Sequence, residues 1–120
     1  NICQYHINKI VKALGLSGIN TQASVWHHKG NNEMSGAQID LLIDRGDKAI
    51  NICEIKFYDK PFIITKNYAQ ELKTKTSSFV HFTKTRKSIF YTFITANGIV
   101  KNEYSLEMVN TEVALKEMFK

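Results

Sequence analysis

Two acidic residues and one lysine lie inside apolar segments of the sequence, where charged side chains are uncommon. Asp40 belongs to the segment 37–44, and Glu54 and Lys56 belong to the segment 49–57. A charge in such surroundings costs free energy unless it has a partner. Neighbouring carboxylates bind hard cations such as Mg²⁺, and a lysine beside them can stabilise charge on a phosphate. The three residue types therefore suggest phosphodiester hydrolysis.

A predicted β-hairpin brings these three residues together. The two apolar segments read as strands, and residues 45–48 between them are typical of a turn. If the turn centres on Asp47, Asp40 lies opposite Glu54 and Gln38 lies opposite Lys56. Directly opposed residues have Cβ atoms about 4.5–5.5 Å apart, and Glu54 and Lys56 share one face of their strand. A register shifted by one residue would place Asp40 on the other face.

The remaining elements surround this hairpin in an α/β order. We predict an amphipathic helix over 2–14, a strand over 20–28, a polar loop over 29–36, a second helix over 65–84, a strand over 88–95, a short strand near 106–111 and a helical turn near 114–119. The long helix before the last strong strand implies a crossover connection, whereas the hairpin is antiparallel. The sheet should therefore be mixed, with helices packed on it.

Tyr68 falls on the inward stripe of the second helix, which favours a packing role. Lys73 and Lys75 lie mostly off that stripe.

The hairpin residues resemble a known signature. Asp40, followed after 13 residues by Glu54-Ile55-Lys56, is similar to the Asp…(Asp/Glu)-x-Lys pattern of the PD-(D/E)xK nuclease superfamily. Three longer stretches resemble the C-terminal nuclease-like domain of certain bacterial P-loop ATPases of the AAA type: KIVKALGLSG at 9–18, GAQIDLLIDR at 36–45 and ICEIKF at 52–57. The resemblance covers nearly the whole chain and is strongest over residues 9–57.

This resemblance implies a restriction-endonuclease-like fold and assigns roles to residues. Asp40, Glu54 and the backbone carbonyl of Ile55 would hold Mg²⁺ or Mn²⁺, and Lys56 would position the attacking water or stabilise the phosphate. It also implies that residues 1–120 form a single domain, a C-terminal fragment of a larger ATPase. Four further residues are candidates for contacts with DNA, by position or by charge: Gln38, Lys73, Arg86 and Lys87.

The sequence departs from the family pattern in two places. Gln38-Ile39 replaces the proline that names the superfamily. Residues 1–14 contain no Asp or Glu, although relatives often place an acidic metal ligand in the first helix. We therefore keep two alternatives to a nuclease: a catalytically depleted module that binds nucleic acid or a partner, and a structural domain that couples to its parent ATPase.

Composition narrows the class of protein. The chain has 120 residues, 43% of them hydrophobic, and a net charge of +5 with a pI near 9.2, which is compatible with DNA as a partner. No apolar run reaches the ~18–20 residues of a membrane span. Two cysteines are too few for a disulfide framework, so we expect a cytoplasmic protein. The sequence leaves a homodimer open, and it contains no Walker-type loop, Ser-His-Asp arrangement or zinc-ligand spacing.

Overall fold

The computed structural model describes residues 6–116, which form an α/β fold around one mixed sheet. Its elements, in chain order, are α1 (Ile7–Ala13), β1 (Thr21–Gly30), β2 (Ser35–Arg45), β3 (Ala49–Lys56), α2 (Lys66–Thr83), β4 (Ser88–Thr95), α3 (Glu103–Met108) and β5 (Thr111–Ala114). The predicted order of one helix, three strands, a second helix and a fourth strand is confirmed. The first four residues of the predicted helix 2–14, residues 2–5, lie outside the described residues.

The sheet follows chain order, β1-β2-β3-β4-β5. β2 pairs antiparallel with β1 and β3, whereas β4 pairs parallel with β3 and β5. The parallel pairing of β3 and β4 requires a crossover, and α2 supplies it. The expected mixed sheet is therefore present, with β3 at its centre.

Helices cover the two faces of the sheet, so β3 is buried on both sides. Residues 49–54 are buried without interruption. Ile52 packs in the cluster that contains Phe79 of α2, and Cys53 packs in the cluster that contains Ile10 of α1. Because side chains alternate along a strand, Glu54 and Lys56 follow Ile52 onto the face that α2 covers. The continuous apolar run of β3 is thus explained by burial on both faces.

The bounds of α2 agree closely with its predicted range. Thr65 is the N-cap, and its side chain accepts a hydrogen bond from the backbone N–H of Tyr68 at 3.1 Å. Lys84 ends the helix in the left-handed conformation, with φ at 60°. Leu72 and Phe79 of the predicted inward stripe are buried, and Tyr68 is half-buried above the end of β3.

The predicted loop 29–36 is too long. β1 continues to Gly30 and β2 begins at Ser35, so the connection is a tight hairpin turn. The side-chain oxygen of Asn31 accepts hydrogen bonds from the N–H groups of Glu33 and Met34, at 2.8 and 2.9 Å. Strand pairing therefore extends into a polar segment that has little strand propensity of its own.

The prediction of a strand near residues 106–111 is wrong. Residues 103–108 form α3, because Asn102 and Ser105 make a reciprocal capping box at its first turn. The strand comes later, at Thr111–Ala114, where β4 offers its free edge. The helical turn expected near 114–119 is present at residues 115–116 as a 3₁₀ turn, and residues 117–120 lie outside the described part. Across residues 6–116, no helix has the length and apolar character needed to cross a membrane.

Candidate active site at the end of β3

The register of β2 and β3 agrees with the predicted hairpin. The last paired residues are Leu41 and Cys53, whose numbers sum to the expected 94. Asp40 and Glu54 are the next residues on each strand, just beyond the end of the ladder. The expected opposition of Gln38 and Lys56 also lies beyond the paired region, so the two strands separate where the candidate residues begin.

A β-bulge in β2 sits at Asp40. Ser24 lies opposite Leu42 and Trp26 lies opposite Ile39, so Val25 alone faces both Asp40 and Leu41. A bulge bends a strand and re-aims its side chains, and bulges are common beside active sites. The direction of Asp40 is therefore set by the bulge rather than by simple alternation.

Asp40 is exposed, and Gln38 is its hydrogen-bond partner. Nε2 of Gln38 donates to Oδ1 of Asp40 at 2.9 Å. The amide thus fixes one carboxylate oxygen and leaves the other open to solvent or a ligand. Gln38 is accordingly a positioning residue for Asp40 in this structure.

Glu54 is buried, with only 7% of its surface exposed, and both of its oxygens have donors. The hydroxyl of Tyr68 donates to Oε1, and Nζ of Lys75 lies 3.2 Å from Oε2. Both donors come from α2, which crosses the end of β3 on this face. They compensate the desolvation of the carboxylate, which would otherwise be costly.

Lys56 lies against two aromatic rings. Its Nζ is 4.7 Å from the ring centroid of Tyr68 and 5.1 Å from that of Phe62. Both distances allow cation–π attraction, which holds the ammonium against the two rings. Within residues 6–116, Lys56 forms no ion pair. Its hydrogen-bonding protons are therefore available to an incoming anion.

The two aromatic rings beside Lys56 belong to a larger packed aromatic cluster. Phe62 meets Tyr68 edge to face at 5.1 Å and stacks on Tyr58 at 5.7 Å. Phe93 of β4, which is fully buried, lies 6.4 Å from Phe62 and 6.3 Å from Tyr68. The position of the ammonium thus depends on packing contacts from β4, α2 and the segment between β3 and α2.

Tyr68 keeps its proton. Burial, the negative charge of Glu54 and the hydrogen bond to Glu54 together raise the pKa of Tyr68 far above its usual value of about 10. At neutral pH the phenol is therefore a hydrogen-bond donor to Glu54 and not a general base.

This pKa predicts a difference in alkaline stability. Above pH 10 the unfolded chain loses the Tyr68 proton while the folded chain keeps it, so folding stability falls as the pH rises. Tyr68→Phe removes this contribution, but it also removes the hydrogen bond to Glu54. We expect the stability gap between wild type and variant to narrow from pH 9 to pH 11, as measured by urea denaturation. A gap that stays constant over this range would contradict the assignment.

The other predicted residues lie elsewhere. The side chain of Ile55 packs on the α1 side, so its backbone carbonyl alone can serve the expected metal site. Lys73 pairs with Glu107 of α3 at 2.5 Å on the surface.

Arg86 and Lys87 precede β4 at the opposite end of the sheet. Ser88 pairs with Ala49, and Thr95 pairs with Lys56. Seven residue steps of about 3.3 Å place this end about 23 Å from Lys56 along the strands. Nζ of Lys87 contacts Asp44 and lies 3.1 Å from the carbonyl of Arg45. The structure therefore does not bring Lys73, Arg86 or Lys87 to Asp40, Glu54 and Lys56.

Two residues of the site were not assigned to it from the sequence. The sequence pattern favours a packing role for Tyr68 and places Lys75 mostly off the inward stripe. They are seven residues apart, which is close to two helical turns, so both project from one face of α2. This spacing is the signal that could have identified them, once a buried acid was expected beneath the helix.

The donors suitable for a metal are few. Residues 6–116 contain no group of three or more His, Cys, Asp or Glu side chains placed to hold an ion. Mg²⁺ commonly uses one or two carboxylates and keeps several waters, so Asp40 and Glu54 with a backbone carbonyl are compatible with it. A carboxylate oxygen has two lone pairs, which lets Glu54 accept a hydrogen bond and still contact a cation. These donor types therefore suit a partly hydrated Mg²⁺ or Mn²⁺.

Comparisons with known proteins show the fold and no more. No family model matches the chain, and no curated protein matches it. A solved structure, that of AF1548, a protein of unknown function, superposes with a TM-score of 0.58 and 17% identity over 92% of this chain. The matched region is 55% of AF1548, so this chain spans about half the length of that protein. At this identity the likeness concerns the α/β architecture alone.

Proposed function

We propose that the protein hydrolyses phosphodiester bonds of DNA with the help of Mg²⁺ or Mn²⁺. The observation that supports this most directly is the cluster at the end of β3. A buried Glu54 shares one strand face with Lys56, which has no anionic partner among residues 6–116, and Asp40 lies on the neighbouring strand at a bulge. An ammonium group held by aromatic rings next to a carboxylate suits a substrate that carries negative charge.

Each residue of the candidate site would have a separate role in the reaction. Asp40, Glu54 and the carbonyl of Ile55 would hold the metal, which when bound supplies a more acidic water and neutralises phosphate charge. Lys56 would donate hydrogen bonds to the attacking water or to a non-bridging phosphate oxygen. Tyr68 and Gln38 would keep the two carboxylates in place, since each donates to one carboxylate oxygen.

The resemblance to PD-(D/E)xK nucleases supports the same proposal. The order of helices and strands is compatible with that superfamily, and the sequence match at 36–57 falls on β2 and β3, which carry the site. The resemblance further suggests a cytoplasmic domain of a larger P-loop ATPase, with DNA as partner. The net charge of +5 agrees with a polyanionic partner.

One observation favours a second candidate function, DNA or partner binding without catalysis. Both oxygens of Glu54 are already engaged by Tyr68 and Lys75, and the described residues hold no third acid near them. A site depleted in this way would still present Lys56 to a phosphate. This candidate predicts DNA binding that weakens steeply with salt and no turnover.

A cleavage assay with a matched calorimetric titration separates the two functions. Purified protein is incubated with supercoiled plasmid and Mg²⁺ or Mn²⁺, and Mn²⁺ binding is measured without DNA. A nuclease should nick the plasmid and bind Mn²⁺, and Glu54→Gln should lose both while still accepting the Tyr68 hydrogen bond. Salt-sensitive DNA binding without cleavage or Mn²⁺ binding would establish the binding module instead. Cleavage that survives Glu54→Gln would show that another nuclease is present.

A further inference from the structure

Lys75 contacts the carboxylate of Glu54, on which the proposed metal ion would bind. Its ammonium lies 3.2 Å from Oε2, and its side chain is 28% exposed whereas that of Glu54 is 8% exposed. The other donor, Tyr68, is neutral and half-buried, so it neither repels a cation nor moves easily. Lys75 is thus the contact that adds positive charge to the carboxylate and that can also reach solvent.

A second carboxylate, that of Glu71, lies near Lys75 on α2. It lines an open groove of about 290 Å³ together with Gly36, Ala37, Gln70, Glu71 and Thr74. Glu71 precedes Lys75 by four residues on α2, the spacing and order that favour an ion pair along a helix. If Lys75 left Glu54, its ammonium would still have a carboxylate partner, because Glu71 lies one helical turn away.

We propose that Lys75 is a displaceable internal cation that competes with a divalent metal ion for Glu54. With no metal bound, Lys75 neutralises the buried carboxylate. A divalent ion on Glu54 repels the ammonium, which moves into the groove toward Glu71. The metal affinity of the site is consequently lowered by the free energy of the Lys75–Glu54 pair. This inference rests on the proposed metal site and adds the means by which its affinity is set.

Competition predicts opposite changes in metal affinity and in stability. Lys75→Met removes the ammonium but keeps an unbranched apolar chain on the helix. We expect Mn²⁺ to bind this variant roughly fivefold or more tightly than wild type by calorimetry, and its thermal midpoint without metal to fall. Lys75→Arg keeps the positive charge and should bind Mn²⁺ about as weakly as wild type. A purely structural role would lower the midpoint without strengthening metal binding.

Control variants assign the effect to the site. Lys12→Met makes the same change in net charge on α1, which packs against the other face of the sheet, and should leave Mn²⁺ affinity unchanged. Adding Glu54→Gln to Lys75→Met should abolish the tight binding. If wild type binds Mn²⁺ and Lys75→Met binds it equally or more weakly, the competition is overturned while the metal site stands. If neither wild type nor Lys75→Met binds Mn²⁺, the proposed metal site fails as well.

Discussion

Lys56→Met is expected to lower the rate of Mg²⁺-dependent plasmid cleavage by at least about 100-fold. Removing one preorganised donor to developing charge typically costs 10²–10³-fold in rate. Methionine keeps an unbranched chain between the rings of Phe62 and Tyr68 and can make contacts with them. The measurement is the initial rate of nicking at saturating Mg²⁺, with urea denaturation to confirm that the variant is folded.

The control for this prediction is Lys12→Met, which has the same change in charge on the opposite face of the sheet. It should cleave at the wild-type rate within about twofold. Mn²⁺ affinity should not fall in Lys56→Met, because Lys56 is not a metal ligand in the proposed mechanism. Cleavage within a few-fold of wild type in Lys56→Met would remove Lys56 from the reaction.

Phe93→Ala should cause the largest loss of stability among the residues that support the site. Phe93 is fully buried in the cluster with Leu72 and Met108, and it lies beneath Phe62 and Tyr68. Truncating a buried phenylalanine leaves a cavity and costs about 3–5 kcal/mol. Urea denaturation should show this loss as a lower midpoint with a similar slope.

The same variant links packing to the site. Phe62 and Tyr68 rest on Phe93, so Phe93→Ala should also loosen the rings that hold Lys56 and lower cleavage in the folded fraction. Phe90→Ala, on the same strand but 36% exposed, should cost distinctly less stability and leave cleavage unchanged. Equal losses in the two variants would mean that Phe93 is not the packing centre of this cluster.

The neighbours of Glu54 illustrate what could be predicted for the candidate site. Alternation and turn chemistry are local properties, so the register of the β2–β3 hairpin follows from residues 37–57, as far as the last pair, Leu41 and Cys53. The donors to Glu54 come from α2, 14 and 21 residues later in the chain. No local rule states which face of a distant helix will contact a given strand end, so the sequence alone does not assign Tyr68 and Lys75 to the site.

The prediction for the C-terminal part of the described chain is wrong for a related reason. Residues 106–111 have enough apolar character to suggest a strand, yet the capping box of Asn102 and Ser105 begins a helix before them. β5 is four residues long and is defined by its pairing with β4. Such a short strand is stabilised by the edge it joins, so its position is decided by tertiary structure.

The sequence by itself determined the α/β class, the mixed sheet, the bounds of α2 and β4, and the register of the β2–β3 hairpin as far as Leu41 and Cys53. These follow from hydrophobic periodicity, capping and turn residues, all of which act over a few positions. The tertiary structure decided the bulge at Asp40, the aromatic support of Lys56, the pairing of Glu54 with Lys75, and the separation of Arg86 and Lys87 from the site. Each depends on which surfaces meet when distant segments pack, because burial and charge compensation are set by neighbours in space.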